Sequence, residues 1–236
     1  MDNSRTEILL GNDNMQKIAG KHITIVGTGG VGGNVAIFLA RAGIEKFTLI
    51  DFDKVSSSNI NRQVVAFEDT IGEYKVDVLS KILQKINKNV QILCKKERIS
   101  ENNVQNLINN TDLVVDAIDS VKDKAALIIY CKKNDINIIS AMGAGNRFDE
   151  PKFYLTDIYK THDDGLAKSL RKVLRQNGVE SLSVITCNSI PQKFDKVIGS
   201  ISYYPAMCAG TMSAVIINKI IKGELWNSLM KRNSMK

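Results

Sequence analysis

The sequence predicts an α/β fold of Rossmann-like type, a mostly parallel sheet with helices on both faces and a C-terminal extension of mixed strands and helices. Three observations predict it. Short apolar runs alternate with amphipathic stretches through most of the 236 residues. A glycine-rich run, Gly27-Thr28-Gly29-Gly30-Val31-Gly32, follows the first apolar run and opens a helix of small residues. Asp51 closes the second apolar run, where a nucleotide-binding sheet carries an acid for a ribose hydroxyl.

Each element follows from its local pattern. Residues 1–20 read as a helical arm. HITIV at His22–Val26 is a buried strand, and the helix after the glycine run extends to Gly43. FTLI at 47–50 is a second strand, ending in Asp51-Phe52-Asp53. Residues 74–86 place Val76, Val78, Leu79, Ile82, Leu83 and Ile86 on one helical face. A strand is expected at 90–93, then a short helix with Ser100 as its N-cap. LVVDA at 113–117 and INIIS at 136–140 are further strands, separated by a helix over 121–133. After Gly145, strands at 152–156 and 182–186 frame a basic helix at 166–176, and a closing helix spans 206–221, with Pro191 and Pro205 in the loops. Strand–helix–strand spacing implies right-handed crossovers, which bring the strand C-termini to one rim, where such sheets bind ligands.

Composition narrows the function classes. A net charge of +7 suits a polyanionic partner or a soluble surface. Cys94, Cys131, Cys187 and Cys208 stand far apart and form no CxxC pair, so no structural zinc is expected. Only His22 and His162 are present, which leaves no histidine-rich metal site. The N-terminal residues have no basic start and apolar run of a secretory signal, and the apolar stretch at 206–221 is broken by Thr211, Ser213, Asn218 and Lys219. A cytoplasmic protein without a membrane span is the expectation.

The glycines permit close approach of a phosphate to the amides at a helix N-terminus, where the dipole favours anions. Gly27, Gly29, Gly30 and Gly32 are therefore nucleotide-binding candidates, with tight helix–strand packing as the alternative reading. Asp51 and Asp53 stand at the end of the second strand. Ser58, Asn59, Asn61 and Arg62 follow in SNINRQ, and Lys75 opens the next helix. A dinucleotide-dependent hydride transfer needs no such cations, whereas attack of a carboxylate on an α-phosphate builds charge that Arg62 and Lys75 would neutralise. Asp119, beside Ser120 in the turn after the 113–117 strand, could hold Mg²⁺ through oxygen. Individually these residues have bland readings: Lys75 a solvated helix residue, Arg62 a surface charge, Asp119 an N-cap.

GTGGVGG, LIDFD, SNINRQ, GEYK and DAIDS together resemble the ubiquitin-activating-enzyme-like (ThiF/MoeB-type) superfamily, which adenylates carboxylates. Within it, SRTEILLG, DAIDSVKDKAALIIYC, GAGNRFDEP and LTDIYKTHDDGLAKSLR are similar to the tRNA threonylcarbamoyladenosine dehydratase branch. The resemblance covers essentially the whole chain. It implies one ATP-binding domain over 1–236, divided into the arm (1–20), a nucleotide-binding core (21–145) and a substrate and dimer extension (146–236). It implies ATP contacts from Gly29, Asp51, the 58–62 segment, Lys75 and Asp119, and a homodimer in which Arg5 reaches the partner's nucleotide. It also leaves room for sulfur-transfer or electron-transfer partner proteins. The sequence departs from the sulfur-carrier activators, which carry two CxxC pairs, and the region after Asn177 is shorter than in long dehydratases.

Three functions compete at this level. The first is ATP-dependent cyclisation of threonylcarbamoyladenosine in tRNA through an acyl-adenylate. The second is activation of a ubiquitin-like or sulfur-carrier protein C-terminus. The third is a non-catalytic nucleotide-binding scaffold. An intramolecular nucleophile would make a protein thiol unnecessary, and Cys208 among small apolar residues reads as core. Lys168, Arg171, Lys172 and Arg175 line one side of the 166–176 helix and form a candidate RNA-phosphate face, with a solvated helix face as the alternative. His162 is a loop histidine, either a bystander or a proton shuttle.

Overall fold

The computed structural model describes residues 1–192 and 198–224. Its seven strands are β1 (His22–Val26), β2 (Lys46–Ile50), β3 (Gln91–Lys95), β4 (Leu113–Asp116), β5 (Ile138–Ala141), β6 (Phe153–Asp157) and β7 (Ser183–Cys187). They form one sheet in the order β3-β2-β1-β4-β5-β7-β6. All neighbours pair in parallel except β6, which runs antiparallel to β7 at the edge. The Rossmann-like class read from the sequence is the one found.

Alternate residues of each strand serve opposite faces, and both faces are covered. Ile23, Ile25, Phe47, Leu49, Val115, Ile139 and Ile185 point into one core with α3 (Gly30–Arg41), α4 (Lys75–Ile86) and α8 (Tyr203–Lys222). Val26, Ile50, Val114, Ile138 and Val184 point into the other, against α5 (Val104–Leu107), α6 (Val121–Lys133) and α7 (Gly165–Gln176). Burial of each such aliphatic side chain contributes roughly 1.5–3 kcal/mol. Truncating Leu39, fully buried where α3 meets the sheet, to alanine would cost about 2–5 kcal/mol. The N-terminal arm is a pair of short helices, α1 (Ser4–Leu10) and α2 (Asn12–Ala19), joined at Gly11.

Several local expectations change. The N-cap of α5 is Asn103, not Ser100; the Ser100 amide and hydroxyl both donate to Asn103 Oδ1 at 2.8 and 2.9 Å, so the serine braces the turn before the helix. Pro205 lies inside α8 and not in a loop, because the first turn of a helix has no amide bonds for a proline to remove. The sequence pattern therefore started this helix too late. By length and a mean hydropathy of 1.2, α8 could cross a membrane, but Cys208, Ala209, Met212 and Ile216 are buried in the core against α3. Its apolar character belongs to the packing.

Candidate active site

The strand order reverses between β2-β1 and β4-β5, so the turns after β1 and β4 leave the sheet side by side around a crevice. Gly27 takes φ +86°, and its amide donates to the Ile50 carbonyl at 2.9 Å. A Cβ there would lie 2.7 Å from the Ala117 carbonyl oxygen, which fixes how closely the two turns approach. At Gly32 a Cβ would fall 1.9 Å from the Gly27 carbonyl oxygen, and at Gly30 it would meet Pro205 at 3.0 Å. Packing thus accounts for Gly27, Gly30 and Gly32. Gly29 differs: its only neighbour at that position is the Gln63 side chain, at an ordinary 3.6 Å. The first amides of α3 lack intrahelical acceptors, as at any helix N-terminus, and make an anion-binding end.

Asp51 is buried and ties this turn to β2. Its Oδ2 accepts from the Thr28 amide at 2.7 Å and the Thr28 hydroxyl at 3.0 Å, and its Oδ1 accepts from the Asp53 amide at 2.9 Å. Three of the roughly four acceptor positions of a carboxylate are therefore used within the chain. The side chain expected to serve a ribose is first of all a brace for the glycine turn. Asp53 in turn accepts from Lys75 Nζ at 2.7 Å, in an ion pair whose lysine is 6% and aspartate 48% exposed. A bonded path thus runs from Thr28 through Asp51 and Asp53 to Lys75.

The 58–62 segment packs on the other side of the turn. The Arg62 carbonyl would lie 3.4 Å from a Cβ on Gly30. The Arg62 guanidinium donates to the Ser58 carbonyl at 2.6 Å and to Asn61 Oδ1 at 2.8 Å, so the segment holds its own arginine. Asn59 is buried and caps the 57–59 turn through the Ser56 amide, while Asn61 Nδ2 donates to the Ser200 carbonyl at 3.0 Å. Gln63, which sequence reasoning passed over, flanks Gly29 with a buried Oε1 that has no partner among the described residues.

Asp119 stands two residues beyond Ala117, on the turn that abuts Gly27. It is exposed and has no ion pair or side-chain hydrogen bond among the described residues. The N-cap of α6 is Ser120, which accepts from the Asp123 amide at 3.5 Å. Beneath this turn sit Asp116 and Lys124, both fully buried and 2.9 Å apart. Burial pushes the Asp116 carboxyl above its ordinary range, against the pull of Lys124, the Ser140 hydroxyl and the Ile118 amide.

A further buried cation, also missed, is Arg147 in the loop after β5. It donates to Cys187 Sγ at 2.6 Å, the Ser189 carbonyl at 2.5 Å and the Asp163 carbonyl at 2.8 Å, pinning three loops together. Its signal was only its place in the GAGNRFDEP segment.

Other sequence candidates fall elsewhere. Arg5 is exposed on α1, and the neighbouring Asn3 lies by Gly43, past the far end of α3. Arg5 is thus remote from the glycine turn of its own chain. On α7, Lys168 and Lys172 are exposed, but Arg171 donates to the Ile158 and Thr161 carbonyls and the Thr161 hydroxyl, and Arg175 stacks over Tyr159 at 5.0 Å. Arg171 and Arg175 thus also brace the 158–161 turn, whereas Lys168 and Lys172 make no such contact among the described residues. His162 is exposed and pairs with Asp163 at 2.9 Å. Cys208 is fully buried, and burial pushes its thiol up to about 12, which leaves no thiolate at neutral pH. No group of three His, Cys, Asp or Glu side chains suited to a metal occurs among the described residues. Cavities of about 520 and 450 Å³ lie at the opposite rim, beside Arg41 and Lys85 and beside Ile23 and Leu113.

Residues 3–235 match the ThiF family. The chain is 42% identical over 166 residues to the tRNA threonylcarbamoyladenosine dehydratase of Haemophilus influenzae, an alignment covering 70% of this chain and 64% of that relative's length. The crystal structure of the E. coli tRNA N6-threonylcarbamoyladenosine dehydratase in complex with AMP superposes with a TM-score of 0.88 at 31% identity, covering 93% of both chains. The same E. coli enzyme in complex with ATP gives a TM-score of 0.87 at 31% identity, again with 93% of each chain covered.

Proposed function

From the premise that this chain belongs to the ThiF family, we propose that it is an ATP-dependent dehydratase that cyclises threonylcarbamoyladenosine in tRNA. The observation that carries the reading is convergence at one helix N-terminus. The Arg62 segment packs on Gly30, the turn bearing Asp119 abuts Gly27, and Lys75 connects to Thr28 through Asp53 and Asp51. Likeness to an enzyme crystallised with ATP and with AMP supports both the nucleotide and the released product.

In the proposed reaction, a carboxylate oxygen of the threonyl group attacks the α-phosphorus of ATP. The bond to the bridging oxygen breaks and pyrophosphate leaves. The amides of the glycine turn hold phosphate oxygens, and Arg62 and Lys75 neutralise the charge that develops on them. The ureido nitrogen of the same nucleoside then attacks the acyl carbon, loses its proton, and expels AMP. One molecule of water is removed overall, its atoms appearing in AMP and pyrophosphate. Because both nucleophiles belong to one substrate, proximity replaces a covalent enzyme intermediate. Buried Cys208 has no part in it.

Asp119 is the residue that would hold Mg²⁺: an exposed carboxylate without a side-chain partner among the described residues suits a metal that takes one or two protein oxygens and completes its shell with phosphate and water. Bound magnesium would supply charge neutralisation to the phosphates. We further propose the division into an arm over 1–20, a nucleotide core over 21–145 and a substrate and dimer extension over 146–236. In the homodimer Arg5 serves the partner's nucleotide, which its distance from its own turn supports. Lys168, Arg171, Lys172 and Arg175 are the proposed tRNA-phosphate face, with the two lysines its members that make no other side-chain contact among the described residues, and the cytoplasm is the proposed location.

The test is direct. The protein is incubated with ATP and tRNA carrying the modified adenosine, and the tRNA is digested to nucleosides. The expected result is one cyclised nucleoside per AMP formed; ATP consumed only with a small carrier protein, without tRNA, would assign the chain to carrier activation instead.

A further inference from the structure

Lys124, the fourth residue of α6, is fully buried, and no role for it follows from the reaction above. Its Nζ reaches back over the β4–α6 turn to Asp116 Oδ2 at 2.9 Å and to the Ile118 carbonyl at 3.0 Å. The other carboxylate oxygen of Asp116 accepts from the Ile118 amide at 3.2 Å. Ser140, from the neighbouring strand β5, donates to Asp116 Oδ2 at 2.7 Å. Both backbone polar groups of Ile118 are therefore held by the two ends of one ion pair, and that pair is anchored to the sheet through Asp116 on β4 and Ser140 on β5. The Ile118 carbonyl belongs to the peptide that leads into Asp119.

A buried ion pair is a weak source of stability, since apolar residues of similar volume usually replace it without loss. What apolar residues could not do here is fix the Ile118 peptide in one orientation. Violations of the inside-apolar rule concentrate where function demands a fixed geometry. We infer that Lys124, with Asp116 and Ser140, is a positioning residue that holds the 117–119 turn so that Asp119 meets the metal–nucleotide complex in one place. This rests on the assignment of Asp119 as the magnesium-side carboxylate and deepens it: the affinity for the divalent ion is set from below the turn, by a pair that never touches the ligand.

The experiment uses the intact chain with ATP and Mn²⁺ as a paramagnetic substitute. Three variants are compared: Asp119→Asn, the neutral double variant Asp116→Asn with Lys124→Met, and Ser140→Ala. ATP affinity is measured by calorimetry in EDTA, and Mn²⁺ affinity of the ATP complex by electron paramagnetic resonance. Substitution of residues that orient metal ligands typically weakens metal binding about 10–100-fold. The double variant is expected to melt near the wild-type temperature, to bind ATP in EDTA as the wild type does, and to lose about tenfold or more in Mn²⁺ affinity without exceeding the loss in Asp119→Asn. A folded double variant with wild-type Mn²⁺ affinity overturns the inference. Should the double variant not fold, Ser140→Ala keeps both charges and removes one anchor: a severalfold loss of Mn²⁺ affinity supports the inference, and none overturns it. If Asp119→Asn itself leaves Mn²⁺ binding intact, the assignment of Asp119 fails first, and the two failures are told apart.

Discussion

Two lysine–aspartate pairs border the glycine turn, and they differ in what their surroundings let them do. Lys75 and Asp53 meet at 2.7 Å with the aspartate 48% exposed, whereas Lys124 and Asp116 meet at 2.9 Å with both side chains wholly buried. Water can solvate Asp53 whenever Lys75 leaves it, so this pair can open for a phosphate. Neither member of the inner pair has water to turn to. On the proposed reading, the same two functional groups make a switchable cation on one side of the crevice and a fixed strut on the other. Burial, not chemistry, divides the labour.

The contrast breaks most visibly if one member of the inner pair is removed. Lys124→Met leaves Asp116 without its counter-charge in a dry site, to be kept charged or protonated at a cost, and is expected to cost about 3–5 kcal/mol. For a chain of this size that lowers the melting temperature by roughly 6–20 °C, at about 2–4 °C per kcal/mol. Calorimetric melting reads it, and adding Asp116→Asn should recover most of the loss. A single variant as stable as wild type would mean that the inner pair is not a strut.

On the outer side the expected loss is in rate. Lys75→Met should lower AMP formation about 10²–10³-fold, the range for removing one preorganised group that stabilises developing charge. The melting temperature should change little. Single-turnover AMP release with saturating ATP separates this from weaker binding. Lys75→Met that turns over normally would make the outer pair structural and return the glycine turn to a packing role.

These pairs also show what the sequence made legible. The glycine run, Asp51 and the bounds of α6 are read from residue order alone, because apolar periodicity and glycine spacing are local signals. Lys75 and Asp119 stand out by type and position after strands. Lys124 does not, since a lysine in VKDKAAL resembles any solvated helix residue. Its signal was phase: Lys124, Leu127, Ile128 and Cys131 recur at helical spacing on the buried face, beneath a strand whose one polar residue is Asp116. Pro205 misled the reading of α8, because a proline looks the same in a loop and in a first helical turn. Periodicity places Arg171 and Arg175 on one helix side but does not show the carbonyls and the ring that they meet there.

On α7 the same division between free and committed cations gives a smaller effect. Lys168→Glu with Lys172→Glu should weaken tRNA binding and flatten its dependence on salt concentration, by close to one unit of log–log slope for each phosphate no longer neutralised. Arg171→Ala should instead lower stability, since it strips donors from the Ile158 and Thr161 carbonyls, and change that slope less in the folded protein. Filter binding across a salt series decides between them. An unchanged slope in the lysine double variant moves the docking surface off this helix.

The smallest effect is the sharpest test of the two-pair contrast. Asp53→Asn keeps an oxygen near Lys75 Nζ, but the lysine, only 6% exposed, loses its counter-charge, so stability should fall by about 1–3 kcal/mol, less than for the inner pair because the aspartate side is open to water. With its counter-charge gone, Lys75 no longer trades one anion for another when the nucleotide arrives, and ATP should bind a few fold more tightly. Asp116→Asn, by comparison, strands a buried ammonium and should destabilise the chain as strongly as Lys124→Met does. Melting curves for the two asparagine variants, beside ATP titrations of Asp53→Asn, test the claim from both directions. Equal losses of stability would show that exposure of the aspartate does not distinguish the pairs, and weaker ATP binding would make Asp53 itself a nucleotide contact.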